Sequence, residues 1–284
     1  MPEVPNRPQE RVDSKRHGSG PKPPERKPRR FRRWVALGLL AVVCIALAAW
    51  WRAEDGTAFR ALLRDNGRSV GLDGNGNVHG LDRIPASERL LVAAILTGGS
   101  LPLAPLRADL TPNGGAPRVA GAKTPELTLA DPVGRVVFED RPVFRWNALA
   151  AAVTYRVQVF DSDHRPVAQS PAISETSWQP AKTLARDRLY SWEVTAMRGG
   201  LEVVAPTPPA PEARFRIVDP ERAGRIAQAS LRVPQSHLEL CALYAEAGLD
   251  QDCLREIEAL EEENPDSALL VGLRAQLLAR RPAR

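Results

Sequence analysis

An uninterrupted apolar stretch near the N-terminus constrains this chain more than any other feature. Residues 34–51 read WVALGLLAVVCIALAAWW, eighteen residues without a charged side chain. As an α-helix this stretch would be about 27 Å long, close to the roughly 30 Å of a bilayer's hydrocarbon core. We therefore predict a transmembrane helix over residues 34–51.

The residues at the two ends of this stretch predict its orientation. Tryptophans at both ends match the aromatic belts of membrane–water interfaces, and the positive-inside rule places the preceding arginine cluster in the cytoplasm. The predicted anchor residues are Trp34, Trp50, Trp51, Arg29, Arg30, Arg32 and Arg33. We expect a single-pass membrane protein with a cytoplasmic N-terminus and an extracytoplasmic C-terminus.

Two other interpretations of the stretch are a cleaved signal peptide, with Ala46 and Ala48 in its cleavage motif, and a buried core helix. The basic region before the stretch is 33 residues long. The stretch itself exceeds the roughly 7–15 apolar residues of a signal peptide. Core helices rarely combine such a long apolar run with an arginine cluster, so the uncleaved anchor is favoured.

The positive charge of the chain is confined to its N-terminal tail. Residues 1–33 contain eleven Lys/Arg and four Asp/Glu, a net +7, so the rest carries −2 of the total +5. The tail is rich in Pro, Arg and Lys and is predicted to be disordered and cytoplasmic. It either attracts anionic lipid headgroups or serves only as a topology signal. The near-neutral remainder argues against nucleic acid as a partner.

Residues 52–99 predict a small membrane-proximal α+β unit, followed by a Pro/Gly/Ala-rich linker over residues 100–126. We expect helices at 57–64 and 87–96 and a β-hairpin whose turn spans 73–77. The Asp-x-Asn-x-Asn spacing of this turn also resembles the start of a calcium loop. The chain lacks the glycine and glutamate that such a loop needs at its sixth and twelfth positions. Since Asp-Gly and Asn-Gly are common hairpin turns, the hairpin is favoured.

Apolar and polar side chains alternate between residues 127 and 218. Tyr155, Val157 and Val159 alternate with polar residues, and the segment 190–196 repeats the pattern. Such alternation is typical of strands with one buried and one solvated face. We predict an all-β sandwich of two antiparallel sheets.

This segment resembles a fibronectin type III domain. The resemblance rests on FRW at 144–146, on YRVQV at 155–159 and on Leu184, six residues before Tyr190. It implies a tyrosine corner, in which the hydroxyl of Tyr190 bonds back to the preceding turn. Asp187 stands where the family often has glycine, and the run 205–211 interrupts the last strand.

Residues 219–284 predict helices at 220–232, 236–247, 250–263 and 266–279, with Asp219, Ser236 and Asp250 as caps. The second and third helices resemble one tetratricopeptide repeat, which implies a protein-binding helical hairpin. The matching positions are Leu240, Cys241, Tyr244, Gly248, Cys253, Ile257 and Pro265; His237 and Leu260 depart from the motif.

Cys241 and Cys253 fall at the small-residue positions of this motif, where the paired helices lie closest. Two states are open for them. In an oxidising compartment a disulfide would close a short loop and contribute about 3 kcal/mol. Alternatively, both are reduced, buried thiols that pack as small hydrophobic side chains.

No catalytic, cofactor or metal site is readable. His164 lies in a polar turn without a cysteine or second histidine nearby, so we expect a solvated turn there. Trp146, Tyr155 and Trp192 fall on the buried phase of their strands and are predicted to be core residues. The sequence shows no paired nucleophile and base and no phosphate loop, and we expect a non-enzymatic protein without a cofactor.

The predicted fold class is multidomain: a single transmembrane helix, a small α+β unit, an all-β fibronectin type III-like sandwich and all-α tetratricopeptide-like C-terminal helices. In this plan the chain resembles bacterial single-pass envelope proteins, which implies a place in the bacterial inner membrane with a periplasmic C-terminus.

The expected function is that of a non-enzymatic membrane-anchored adaptor or receptor. It would present these modules to a protein or peptide partner outside the membrane. The alternative is a transmembrane regulator, similar to anti-sigma proteins, that couples an envelope signal to a cytoplasmic factor. Zinc-binding modules are common in the cytoplasmic parts of such regulators, and the tail, with one histidine and no cysteine, lacks that ligand set.

Overall fold

The described part of the chain contains three β-sheets, which lie between residues 61 and 217, and five helices. One helix follows the first sheet, and the other four follow the third. The computed structural model describes residues 61–105, 107–110 and 127–280. The predicted tail, the predicted span 34–51 with all seven anchor residues, and most of the predicted linker lie outside these residues. The lipid contacts predicted for the tail fall there as well.

The first sheet consists of β1 (Ala61–Asp65), β2 (Arg68–Leu72) and β3 (Val78–His79), all antiparallel, and is followed by α1 (Ala86–Gly98). Pairing of β2 with β3 confirms the hairpin predicted around residues 73–77. The helix predicted over 57–64 is wrong for its described part, because residues 61–64 pair with β2. The reason is the Asn66-Gly67 turn, where both residues have positive φ, of 53° and 74°, as tight hairpins require.

Two further sheets lie between residues 129 and 217. The smaller has the order β4 (Leu129–Asp131), β6 (Phe144–Trp146), β9 (Ser177–Trp178). The larger has the order β5 (Arg135–Val137), β12 (Ala213–Ile217), β10 (Leu189–Arg198), β7 (Ala152–Asp161), β8 (Pro166–Gln169), and β11 (Leu201–Ala205) also pairs with β10. Because β5 runs parallel to β12 while the other pairs are antiparallel, the larger sheet is mixed.

Aromatic side chains fill the space between these two sheets. The ring of Phe144, on the smaller sheet, lies 4.9 Å from Trp192 and 5.5 Å from Phe215, both on the larger. Trp146, Tyr155 and Trp192 are all buried, which confirms their prediction as core residues. The hydroxyl of Tyr190 donates to the carbonyl of Ala185 at 3.0 Å, the bond back to the turn that the sequence predicted.

Four helices follow: α2 (Pro220–Ser230), α3 (His237–Ala247), α4 (Asp250–Glu263) and α5 (Ala268–Ala279). Asp219 caps α2 and Ser236 caps α3, each by accepting a backbone N–H, as predicted. The cap predicted at Asp250 is wrong, because α4 already includes Asp250 and its N-cap is Leu249, without a side-chain bond. Gly248 ends α3 with φ of 76°, a left-handed conformation that favours glycine.

The predicted fold class is wrong, because the C-terminal helices are not a separate all-α module. One face of α3 packs with the first sheet and α1 in a core that includes Val70, Val92 and Cys241. Its other face packs with sheet residues such as Val136 in a second core, together with Leu240 and Leu243. The helices follow the sheets and share cores with them, so the described chain is a mixed α/β structure.

The predicted location in the bacterial inner membrane is also contradicted. None of the helices in the described ranges is both long and apolar enough to cross a membrane. The longest, α4, has 14 residues, about 21 Å at 1.5 Å per residue, against a hydrocarbon core of about 30 Å.

Candidate functional site

Three distant segments of the chain meet to form a cleft of about 230 Å³. Strand β2 contributes Arg68, the segment before α1 contributes residues 81–84, and the connection between α2 and α3 contributes residues 232–236. The lining residues are Arg68, Leu81, Arg83, Ile84, Arg232, Val233, Pro234, Ser236 and Glu239. We call this site the arginine cleft.

Asp65 fixes the first sheet to the start of α3. Its carboxylate is fully buried and accepts the Ser236 hydroxyl at 2.5 Å and the His237 backbone N–H at 2.8 Å. The hairpin turn that follows Asp65 is bonded to the end of α4: the N–H groups of Asn66 and Gly67 donate to the Glu263 carboxylate at 2.7 and 2.9 Å. Charge-assisted bonds of this kind are stronger than neutral ones, so the turn holds the cleft wall in place.

The side chain of Arg68, on β2, is hydrogen-bonded to the connection between α2 and α3. Its Nη2 donates to the carbonyls of Pro234 and Gln235, at 3.1 and 3.4 Å. Its Nε is buried and has no hydrogen-bond partner among the described residues. A buried donor without a partner is costly, by about 1–3 kcal/mol, and it marks this wall of the cleft as incompletely satisfied.

Arg232 neutralises the acidic side of the cleft. Glu239 is 1 % exposed and ion-paired to Nη1 of Arg232, whose Nη2 lies 3.4 Å from the buried Glu88. Desolvation raises the pKa of Glu239, and the positive charge of Arg232 opposes that shift. With Arg225 3.6 Å from Glu88, both buried carboxylates have guanidinium partners.

Arg83 is exposed and forms no ion pair with a described residue. Beside it, Leu81 and Ile84 give the cleft an apolar floor. Val233, which lines the cleft, is 81 % exposed, and Leu231, two residues earlier in the same connection, is 82 % exposed. The arginine cleft therefore has an exposed guanidinium group, that of Arg83, beside apolar surface.

A second cleft, of about 260 Å³, lies beside the interruption of the last strand. It is lined by Phe160, His164, Ser191, Trp192, Glu193, Pro206, Pro208, Ala210 and Glu212. His164 lies in an exposed turn, as predicted, and its Nε2 is 2.9 Å from the Glu212 carboxylate. That contact, followed by the weaker effect of Arg214, lowers the pKa of Glu212, whereas desolvation raises the pKa of Glu193.

Asp73 stabilises the turn of the β2–β3 hairpin, the segment whose spacing also resembles the start of a calcium loop. Its carboxylate accepts the N–H groups of Asn75 and Asn77, both at 2.8 Å, and lies 3.0 Å from Nε2 of His79. These bonds, the His79 contact first, hold the pKa of Asp73 well below its usual range. In the described parts of the chain, no group of three or more His, Cys, Asp or Glu side chains is placed to hold a metal ion.

Cys241 and Cys253 are both buried free thiols. Burial, followed by the neighbouring Cys241, raises the pKa of the Cys253 thiol. A raised pKa keeps a thiol protonated and slow to react. The disulfide predicted as one of two states stays a prediction.

Sequence reasoning missed the arginine cleft because its lining residues come from segments more than 140 residues apart. An ion pair between Glu88 and Arg232, for example, spans 144 residues. One local signal was available: Leu231 and Val233 are large apolar residues in a connection between two helices, where polar residues are usual.

No protein-family model matches the chain, and no curated protein is significantly similar to it in sequence.

Proposed function

We propose that this protein is a non-enzymatic adaptor that binds a protein or peptide partner. The observation that carries the proposal is the pair of exposed apolar side chains in the connection between α2 and α3: Val233, which lines the arginine cleft, and Leu231, two residues before it in the chain. Burial of each of these side chains under a partner would contribute about 1.5–3 kcal/mol. The membrane tether and the transmembrane regulator are not part of this proposal, because both depend on the corrected localisation.

Two features of the connection between α2 and α3 support a binding role. Its backbone carbonyls accept hydrogen bonds from two side chains of the first sheet: Arg68 donates to Pro234, and the side-chain amide of Asn66 donates to Gln235 at 3.2 Å. Its apolar side chains are therefore presented on a fixed backbone, and a fixed surface loses little conformational entropy when a partner binds. By contrast α3, the central part of the repeat-like segment, is nearly covered by its neighbours and leaves little surface for a partner.

The proposal is tested by site-specific crosslinking in cells that produce the full chain. A photoreactive residue at position 233 is expected to capture a partner, whereas the same residue at position 153 is not. Val153 is a matched control because it is 71 % exposed and does not line the cleft.

The captured partner is then purified and its affinity measured. The double variant Leu231→Ser, Val233→Ser should bind about tenfold more weakly or worse, as expected for interface anchors, while Val153→Ser binds normally. Equal capture at the two positions, or unchanged affinity of the double variant, would show that the cleft rim is not the binding surface.

A further inference from the structure

We propose that β11 is a dimerisation edge, at which the chain pairs with a second copy of itself and continues the larger sheet across a two-fold axis. This inference goes beyond the proposed function and uses a different surface. Strands β11 and β12 lie end to end along the same side of β10. The sheet position outside β12 is filled by β5, whereas no strand of the described residues pairs with the outer side of β11.

The composition of β11 does not protect this open edge. The strand reads LEVVA over Leu201–Ala205, with one charged residue and no proline, lysine or arginine. Native sheets usually protect an edge with proline, charged side chains or a very short strand, because unpaired backbone groups bind other strands. The outermost strands of the same sheet follow this rule: β5 has three residues including an arginine, and β8 begins with a proline. Among these edges, β11 is the one suited to pairing.

Two residues of β11 direct their backbone groups away from β10. The hairpin turn between the two strands consists of two glycines, both with positive φ. In such a hairpin the residues that flank the turn bond each other, and every second residue repeats that bond. The odd-numbered residues of β11 therefore bond β10, and Glu202 and Val204 point their N–H and C=O groups outward. In agreement, the Val204 carbonyl accepts the Thr207 hydroxyl at 2.7 Å, which leaves that oxygen one further lone pair.

A two-fold axis through Val203 brings the outward groups of two copies together. Antiparallel pairing about this axis places Glu202 of each copy opposite Val204 of the other, and each such pair exchanges both N–H···O bonds. An axis through Glu202 would instead set two glutamates directly opposite each other, which is destabilising. An axis through Val204 would set Glu202 opposite Pro206, which has no N–H to donate. Charge and hydrogen bonding thus make β11 complementary to itself in the register centred on Val203.

The side chains of β11 support the same arrangement. Leu201 is 72 % exposed, and Val203 is only partly buried against the core of the sandwich. In the register centred on Val203, Leu201 lies opposite Ala205 of the second copy and the two Val203 side chains meet, so apolar surface is removed from water. Glu202 lies on the other face of the strand, because side chains alternate, and its charge stays in solvent. Two-fold pairing of identical surfaces is also the commonest form of protein dimer.

Disulfide crosslinking of the full chain tests the register. The background is Cys44→Ser, which leaves the two buried thiols, Cys241 and Cys253. In the proposed pairing the two Val203 residues are a non-hydrogen-bonded pair with Cα atoms about 4.5 Å apart, within the roughly 4.4–6.8 Å that a disulfide spans. Val203→Cys should therefore form a covalent dimer when oxidised by oxygen with copper phenanthroline, as seen by non-reducing electrophoresis.

Two further cysteine variants are the controls. The two copies of Glu202 would be diagonal neighbours about 7–8 Å apart, too far for a disulfide, so Glu202→Cys should give no dimer. Val167→Cys measures random collisions, because Val167 is 44 % exposed on β8, at the opposite edge of the sheet.

Charge at Val204 tests the pairing without changing the backbone. In the Val203→Cys chain, Val204→Glu would place a carboxylate directly opposite Glu202 of the second copy and should abolish the crosslink. Val204→Lys would place an opposite charge there and should preserve or increase it. The two variants differ only in the sign of the charge, so their urea unfolding midpoints should agree.

Absence of a dimer from Val203→Cys, or an equal yield from Glu202→Cys or Val167→Cys, would overturn the proposal. Equal loss of the crosslink in both Val204 variants would also contradict it, because the effect would then not depend on charge. A crosslink from Val203→Cys to a different protein would assign the edge to another partner and overturn self-pairing. These outcomes do not involve position 233, so the proposed function fails or stands separately.

Discussion

Glu193 places a carboxyl group on the outer side of β10, in the second cleft. Desolvation by burial raises its pKa above the ordinary value, and no counter-charge opposes the shift. An acid with a raised pKa in the folded state stabilises the fold most at pH below its unfolded pKa. That contribution is lost as the pH rises through the folded pKa.

Replacement of Glu193 by Gln should therefore increase the free energy of unfolding at neutral pH, because the variant never carries the desolvated charge. The difference from the wild type should shrink as the pH falls below the ordinary glutamate pKa. Urea unfolding over a pH series measures both. A variant that is less stable than the wild type at neutral pH would show that the Glu193 carboxylate has a stabilising partner.

Single residues were predictable where their partners are close in sequence. Asp219 and Ser236 were recognised as helix caps because each bonds a backbone N–H three residues later. Asp65 was not recognised, since its partner Ser236 follows 171 residues later. A buried acid at the end of a strand has no local signature that distinguishes it from a solvated turn residue.

At the scale of elements, the connection between α2 and α3 depends on Arg232. Replacement of Arg232 by Ala would leave Glu239 without its ion pair and Glu88 with only the more distant Arg225. Unpairing a buried charge costs about 3–5 kcal/mol, and we expect the free energy of unfolding to fall by about that amount. Chemical denaturation at neutral pH measures it.

The control for this prediction is Arg255→Ala. Arg255 pairs with Asp252 on the outside of α4 and is 67 % exposed, so its loss should cost about 0–1 kcal/mol. If the two variants lost the same stability, the buried pair would be contributing no more than a surface pair.

Elements with strong local signals were the predictable part of the fold. Helices α2 to α4 begin and end within two residues of the predicted bounds. Strand β1 was mistaken for a helix because residues 57–64 are rich in the helix formers Ala, Leu and Arg, although Asn66-Gly67 marks a hairpin. The parallel pairing of β5 with β12 has no sequence signal, since parallel partners are far apart in the chain.

At the scale of the whole molecule, the sequence suggested independent modules and the structure shows shared cores. Helix α3 is the reason. Of its 11 residues, eight are buried, on faces that meet α1 and β2 on one side and the sheet residue Val136 and the turn residue Leu110 on the other. A helix that is apolar around most of its circumference indicates burial on several sides but does not identify which elements bury it.

The arginine cleft exists only because the hairpin, α1 and the C-terminal helices form one core. The most direct test is the circular dichroism of an isolated fragment, residues 219–284, heated beside residues 61–284. Without the partners of α3, the short fragment is expected to show weak helicity and no cooperative thermal transition, while the longer chain melts cooperatively. A short fragment that is fully helical and melts cooperatively would show that the C-terminal helices are an independent module, and would contradict the account.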